Sequence, residues 1–471
     1  MIGDVFDSGP GWPARTLPLR GRAGVLTLDE RGIHHPRAPR SRSFVFTPYA
    51  DLLHLAASPR AIWLGARRSV YVLPRRLFVD EEAPDILLRV VLSRIQASPG
   101  GAAQLEHMAA LDAISQVDRP CRATWGLTFA CLAVFVLQLF GGDLVEDAGF
   151  FGASLLRDGD WWRAITTHFL HAFPGLPLHL ALNLLGLIAF GTLTERPLGT
   201  AGTLVVMGLA AIGADVGSYL AGYPHVVGVS GVVFGLLGAV TWLELRRTEQ
   251  LPAWWRVPRS ALLFMLAASA LLPLVVPVIA GASHLGGVIA GALGAALLGR
   301  KLPVAVARPA PRWLRPAAAA VVGVSALGIA IGFSPLLDRD HYVAHRLEQI
   351  GRMPDATPLE LNNQAWLIAV DPDSTPEQLE AALQLAERAA RETERGEPNI
   401  LDTLAELEFQ LGFPERALAT IDEAIAMRPD ENYYQEQRRR FLGERQPEDR
   451  PPPPGSPEAP DVAPEPEGIT A

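Results

Sequence analysis

PHVVGVSGVVFGLLGAVTWLELRRTEQLPAWWRVPRS, residues 224–260, decides how the rest of the chain is read. Ser230 lies between Gly228 and Gly231 and opens an apolar run that ends at Glu244, where a basic segment follows. A hydroxyl at the mouth of a helix this apolar has two explanations. Small residues let helices pack closely in lipid. Alternatively the hydroxyl is a nucleophile, which then needs a base, because a serine alone is a weak one. Gly-Val-Ser-Gly is not the Gly-x-Ser-x-Gly elbow of soluble hydrolases, since Val232 stands at the last position. Taken alone, the four residues favour packing.

Two other apolar runs open in the same manner. His284 begins one and is followed by Gly287 and Gly291, a ridge of small residues on one helix face; His179 begins the other, with Asn183 one turn later. An ionisable side chain in a membrane span is costly and marks a functional candidate. Seven runs are candidate spans: 124–140, 179–194, 200–221, 229–245, 261–278, 284–299 and 316–334. Several fall short of the roughly 20 residues of a full crossing, which is tolerable where helix ends are buried in protein. Arg119 and Arg122 precede the first span, Arg246, Arg247, Arg256 and Arg259 follow the fourth, and Arg300, Lys301, Arg308, Arg312 and Arg315 follow the sixth. Basic loops stay in the cytoplasm. The N-terminus is then cytoplasmic, His179, Ser230 and His284 all reach the opposite face, and the chain after the seventh span lies outside the cytoplasm. The expectation is a Ser230–His284 dyad without an acidic third member. Phe234, one turn below Ser230, is set to stack on the imidazole. The Asn183 amide, the His179 ring and the Ser230 backbone N–H are the candidate oxyanion donors. Read alone, His179 is also a capping or interfacial histidine. His168 and His171 have metal-like i,i+3 spacing but no carboxylate in the pattern, and no HExxH occurs. No metal or cofactor is expected.

Composition agrees with a membrane core between polar flanks: the 471 residues are 49 % apolar and 19 % charged, with the charge clustered outside the middle third. A net charge of −9 argues against nucleic acid as a partner. Cys121 and Cys131, ten residues apart at and within the first span, offer neither a disulfide nor a metal site. The opening MIGDVFDSGPGW has no basic end followed by an apolar core, so no secretory leader is expected. Residues 1–20 read as loose. Short strands are expected at 25–28, 44–46, 61–64 and 70–73, with a turn at Asp29–Gly32 and an amphipathic helix over Asp85–Ile95. The basic set Arg67, Arg68, Arg75 and Arg76 reads as a solvated hairpin or, alternatively, as a contact for inner-leaflet lipid headgroups. Residues 141–178 read as an interfacial loop, some of it short helix, with Trp161, Trp162, Phe169, Leu170 and Phe173 at headgroup level. Beyond residue 336 the chain turns polar, and 355–440 read as paired helices with an irregular linker at Asp371–Pro376. Residues 445–471 are Pro/Glu-rich and read as disordered. The expected boundaries are an N-terminal β-rich domain (1–118), a membrane domain (119–336), a helical domain (337–442) and a tail (443–471).

Between residues 120 and 300 these pieces resemble, in order, the rhomboid family of intramembrane serine proteases. The matching residues are Trp162-Arg163-x-x-Thr166, Phe169-Leu170-His171, His179-x-x-x-Asn183, Glu195, Gly228-x-Ser230-Gly231-x-x-Phe234-Gly235 and His284-x-x-Gly287-x-x-x-Gly291. The resemblance implies a polytopic α-helical fold: a six-helix core, here with a seventh span. It implies Ser230 as nucleophile, His284 as general base and acid, and His179 and Asn183 as oxyanion helpers. Gly287 and Gly291 would be packing glycines, Trp162 and Arg163 structural residues of the first external loop, and Glu195 a helix-end anchor. Phe234 stands where many relatives carry tyrosine, so stacking survives there but a hydroxyl does not. Implied substrates are transmembrane segments of membrane proteins, in a multi-pass protein of a bacterial inner membrane surrounded by membrane lipids. The N-terminal strands resemble a pleckstrin-homology domain. The C-terminal helices resemble about two tetratricopeptide repeats, which either bind a protein partner or act as a stabilising appendage. Two other readings differ in class. An inactive relative that binds membrane-protein clients would resist serine-directed labelling. A transporter or channel finds few buried charges and no inverted repeat to support it.

Overall fold

A computed structural model describes residues 14–446 except 22–23, 40, 118, 142, 158, 173–176, 277–278, 300–310, 338 and 354–355. Among the expectations above, those on the first 13 residues, on Phe173, on Arg300, Lys301 and Arg308, and on the tail from 447 lie outside the described residues. The chain divides into two compact units, Met1–Phe333 and Ser334–Ala471.

Among the described residues the first unit opens with seven strands. β1 (Arg15–Pro18), β2 (Val25–Leu28), β3 (Gly32–Pro36) and β4 (Phe44–Pro48) form an antiparallel sheet in sequential order, and β5 (Leu52–Ala57), β6 (Ala61–Ala66) and β7 (Val70–Pro74) form a second. The turn at Asp29 is held by its own carboxylate, which accepts the N–H groups of Arg31 and Gly32 at 2.8 Å each. β1 corrects the reading of this end as loose: Leu17 is buried in the core while Arg15 and Thr16 beside it are exposed. Helix α1 (Ala83–Gln96) lays Leu87, Val91 and Ile95 on Leu26, Leu28, Ile33 and Ile62 in one apolar cluster. Helix α2 (Gly101–Gln116) follows, its Gln104 amide donating to the carbonyls of Tyr49 and Leu52 at 2.7 Å each.

This β-rich part docks on the loop that leads out of the Ser230 helix. His54, fully buried on β5, accepts the Ala253 N–H at Nδ1 (2.9 Å) and donates from Nε2 to Asp112 (3.0 Å). Ala253 packs with Ala56, Val70 and Trp63, and the Arg67 carbonyl accepts from Arg259 at 3.1 Å. Of the four basic residues at issue, Arg67 pairs with Asp51 and Glu249, and Arg75 pairs with Asp85. Arg68 and Arg76 are exposed.

Two buried histidines give this part a pH dependence. Burial pushes His35 below the ordinary histidine value; burial does the same to His54, against the opposing pull of Asp112 and with His107 and Arg256 adding to the depression. Both rings therefore take up a proton more readily when the chain is unfolded. Stability rises with pH up to the ordinary value of 6.5 and falls as pH drops below it, because there the unfolded state binds more protons. Amide exchange in β3 and β5 of the full-length protein, corrected for intrinsic rates, is expected to be faster at about pH 5.5 than at about pH 7.5. Equal protection at both values would refute the assignment.

The membrane region is helical, as expected. In order come α3 (Arg122–Gly141), three short helices α4 (Asp143–Gly149), α5 (Ala153–Arg157) and α6 (Arg163–Thr166), then α7 (Pro177–Leu220), α8 (Ser230–Arg246), α9 (Arg259–Val275), α10 (Gly281–Leu298) and α11 (Leu314–Phe333). Among the described residues five stretches are long and apolar enough to cross a membrane: Arg122–Phe140, Pro177–Leu220, Ala253–Val275, Gly281–Leu298 and Leu314–Phe333. α8, at 17 residues, is shorter. α7 has 44 residues but two arms. Pro197 and the non-helical Gly199 (φ 73°, ψ 166°) break it. His179 lies against Gly228 and Ala214 against Gly231, yet in a straight helix residues 179 and 214 would stand about 52 Å apart. The chain therefore doubles back at Gly199, and the arms are the second and third expected spans.

Glu195 secures that reversal. Its buried carboxylate accepts the N–H groups of Ala123 and Thr124 (2.9 Å each) and the hydroxyls of Thr124 (2.8 Å) and Thr200 (2.7 Å). It thus caps α3, whose first N–H groups have no partner within the helix. α7, α8 and α10 all pack on one another, and α9 sits at the edge with Leu263, Phe264, Leu271, Leu274 and Val275 exposed. α11 lies with Val321 against Gly208, and its far end brings Gly332 against Trp162 and Thr166.

The second unit comprises α12 (Arg339–Arg352), α13 (Pro358–Val370), α14 (Pro376–Glu392), α15 (Pro398–Gln410), α16 (Pro414–Met427) and α17 (Asn432–Phe441). Proline opens α13 to α16 where its missing N–H costs nothing, and Thr357 with Glu360 and Thr375 with Gln378 close capping boxes. Alanines 382, 386, 389, 405, 417 and 424 are buried in one cluster, which lets the helix pairs α13–α14 and α15–α16 approach closely.

Candidate active site

Ser230 is the first residue of α8, and His284 lies in the first turn of α10. Ser230 Oγ stands 2.9 Å from His284 Nε2. The two α-helices meet at this distance because glycine faces glycine. A methyl group at Gly287 would overlap the Gly231 carbonyl, and one at Gly291 the Gly235 carbonyl. The Phe234 ring lies 4.2 Å from the imidazole, centroid to centroid, at 33°, and holds its rotamer. Ser230 is half-buried and His284 buried. His284 Nδ1 has no hydrogen-bond partner among the described residues. For Ser230 to donate to Nε2, Nδ1 must carry the ring proton. The arrangement is a pair, not a triad.

Gly228, two residues before the serine, has φ 122°, a backbone conformation that L side chains rarely adopt. A methyl group there would lie 2.9 Å from His179 Cε1, 3.2 Å from Nε2 and 3.7 Å from Asn183 Nδ2. His179 and Asn183 thus converge on the backbone just upstream of Ser230. The Ala172 N–H donates to His179 Nδ1 at 3.3 Å, so Nε2 carries the proton and points a donor toward this space. Asn183 is buried, and one amide hydrogen goes to its own helix at the His179 carbonyl (3.0 Å), leaving the other free to donate.

The segment between α3 and α7 frames this site. Arg163, almost fully buried, donates to Asp160 (2.7 Å) and to the Phe150 carbonyl (3.3 Å) and covers the Phe150 ring at 5.1 Å. Trp162 packs on Gly332 of α11. The Thr166 hydroxyl donates to Gly149 O (2.7 Å) and the Thr167 hydroxyl to Val226 O (2.6 Å), while the Thr167 carbonyl accepts the Gly228 N–H at 2.9 Å. Phe169 and Leu170 correct the headgroup reading of this loop. Both are buried, because the loop folds over the helix ends, and only Trp161 of the described set is exposed. His168, read as lacking a carboxylate, has one: its Nε2 lies 3.2 Å from Asp215 Oδ1 on the second arm of α7. Asp215 is the acid that the sequence reading missed, and its signal was there: it stands alone amid the apolar run 200–221. Among the described residues no group of three or more His, Cys, Asp and Glu side chains is placed to hold a metal ion.

Residues 158–301 match the model of the rhomboid domain. Over 192 residues the chain is 31 % identical to the rhomboid protease GluP of Bacillus subtilis, covering 40 % of this chain and 36 % of that protein. Over 131 residues it is 32 % identical to the rhomboid protease GlpG of Klebsiella pneumoniae, covering 27 % of this chain and 45 % of that protein. The chain spans less than half the length of these relatives. The matched segment holds α6 to α10, with Glu195, His179, Asn183, Ser230 and His284 on them, and it is on these helices that this chain carries a rhomboid domain.

Proposed function

We propose that this protein is an intramembrane serine endopeptidase that cleaves transmembrane segments of other membrane proteins, with Ser230 as nucleophile and His284 as general base and acid. The observation that carries the reading is the 2.9 Å contact between Ser230 Oγ and His284 Nε2 inside the rhomboid domain. Ser230 attacks the scissile carbonyl as His284 Nε2 takes its proton; His284 then returns that proton to the leaving amine. The Ser230 backbone N–H, His179 Nε2–H and the second Asn183 amide hydrogen are the donors for the oxyanion. Water from the external face hydrolyses the acyl-enzyme. Small or helix-weakening residues in the substrate lower the cost of unwinding it at the site. The basic loops support an N-terminus in the cytoplasm, with Ser230 near the opposite face of a bacterial inner membrane. The paired C-terminal helices are the candidate surface for a protein partner.

The test is cleavage of a reporter transmembrane substrate by the full-length protein in liposomes. Ser230→Ala is expected to abolish cleavage and labelling by a fluorophosphonate while leaving an intact, inserted protein. Cleavage by that variant would end the proposal. Asn183→Ala is expected to lower kcat by ~10²-fold with KM little changed, as for loss of one oxyanion donor. An unchanged kcat would remove Asn183 from that role.

A further inference from the structure

A carboxylate in an apolar helix is costly to keep, and nothing in the proposed chemistry uses Asp215. It is only 16 % exposed, and among the described residues its partner is the ring of His168, itself 9 % exposed. His168 Nδ1 is buried with no partner among the described residues, so the contact to Asp215 is what orients the imidazole. The consecutive residues 166 to 168 are all tied down. Thr166 is bonded to Gly149, Thr167 to Val226 and Gly228, and His168 to Asp215, while the His168 carbonyl accepts from Cys131 at 3.7 Å. On the α7 side Asp215 follows Ala214, the residue against which Gly231 rests. One end of this linkage thus meets Gly228 and the other borders Gly231, the two residues flanking the Ser230 turn.

We infer that Asp215, acting through His168, is a positioning residue for the Ser230 centre. The pair clamps the strap 166–168 to α7, the Thr167 carbonyl then fixes the Gly228 N–H, and Gly228 sets the distance from the serine to the His179–Asn183 donors. The inference rests on the serine peptidase reading. Neither residue touches the reacting atoms, so a change in the pair acts on kcat through misplacement rather than on substrate binding.

The test compares Asp215→Leu, His168→Leu, the double variant and Asp215→Asn, as full-length protein in liposomes on the reporter substrate, with thermal midpoints measured alongside. Each leucine variant is expected to lower kcat by ~10- to 100-fold at unchanged KM. The double variant should be no worse than the poorer single, since one linkage is broken once or twice over. Asp215→Asn keeps an acceptor for the His168 N–H and should stay within about threefold of wild type. Wild-type kcat in either leucine variant, multiplicative losses in the double, or an asparagine variant as poor as leucine would each overturn the inference. If leucine at 215 prevents assembly, His168→Leu, which leaves α7 unaltered, decides alone. Ser230→Ala in the same assay separates the two claims. Cleavage by Ser230→Ala removes the peptidase reading and this inference with it, whereas an inert Ser230→Ala beside a fully active Asp215→Leu removes only this one.

Discussion

His284→Ala is expected to reduce kcat by about 10⁴-fold or more, with KM changed little and the protein still inserted. The size follows from the geometry. Among the described residues the side-chain partner of Ser230 Oγ is His284 Nε2, at 2.9 Å, and the His179 ring beside Gly228 already holds a proton on the nitrogen that faces it. Without His284 no other side chain among the described residues is bonded to the serine to accept its proton, and the alcohol reverts to its ordinary low nucleophilicity. Ser230→Ala and the Ser230→Ala/His284→Ala double variant should then show the same residual rate, because the two groups act as one unit. Alanine at 284 also opens a void against Phe234, 4.2 Å away, so His284→Phe serves as a second variant that fills the space without supplying a base. The measurement is kcat on a reporter substrate beside the rate of fluorophosphonate labelling at Ser230. A His284→Phe protein that labels and cleaves at the wild-type rate would show that another group activates the serine.

Much of this site was legible because membrane helices leave so few ways to place a polar group. Three apolar runs each open with a polar side chain, and an alternating topology sets all three openings at one end of the helices, where Ser230 meets His284 and His179 meets Gly228. Glycine at 231, 287 and 291 was readable for the same reason, since nothing larger fits where two backbones touch. The readings that needed correction depend on contacts between distant segments. Phe169 and Leu170 looked like headgroup aromatics and apolar neighbours until the loop was seen folded over the helix ends. Asp215 and His168 stand 47 residues apart with no spacing rule to join them. β1, β3 and β5 are short strands whose membership in a sheet is set by their partners, and β3 carries a buried His35 where alternation from Ile33 would ask for an apolar residue. The docking of His54 on Ala253 spans 199 residues and belongs to the same class. What periodicity encodes is local, whereas register, docking and buried pairs come from tertiary partners that a single run of sequence does not name.

Gly291→Leu is expected to abolish stable assembly of the membrane domain, and Gly291→Ala to cost several kcal/mol, on the order of the larger losses seen when a core is overpacked. The reason is that the obstruction is backbone. A methyl group at Gly291 overlaps the Gly235 carbonyl and Cα, none of which can turn aside as a side-chain tip could. Relief requires α8 and α10 to separate, and the Ser230–His284 contact lies about two turns along the same ridge, beyond Gly231 and Gly287. Even an alanine variant that assembles should therefore lose most of its kcat, because hydrogen-bond reach ends within a few tenths of an ångström of 2.9 Å. Gly323 of α11 supplies the control, for a methyl group there meets nothing within 4 Å. Gly323→Ala should be neutral or stabilising by up to ~1 kcal/mol, the helix-propensity difference between the two residues. Unfolding midpoints in detergent, with reporter cleavage measured on the same preparations, test both halves. If Gly291→Leu proved as stable and as active as Gly323→Ala, the α8–α10 backbone contact could not be what sets the spacing of the site.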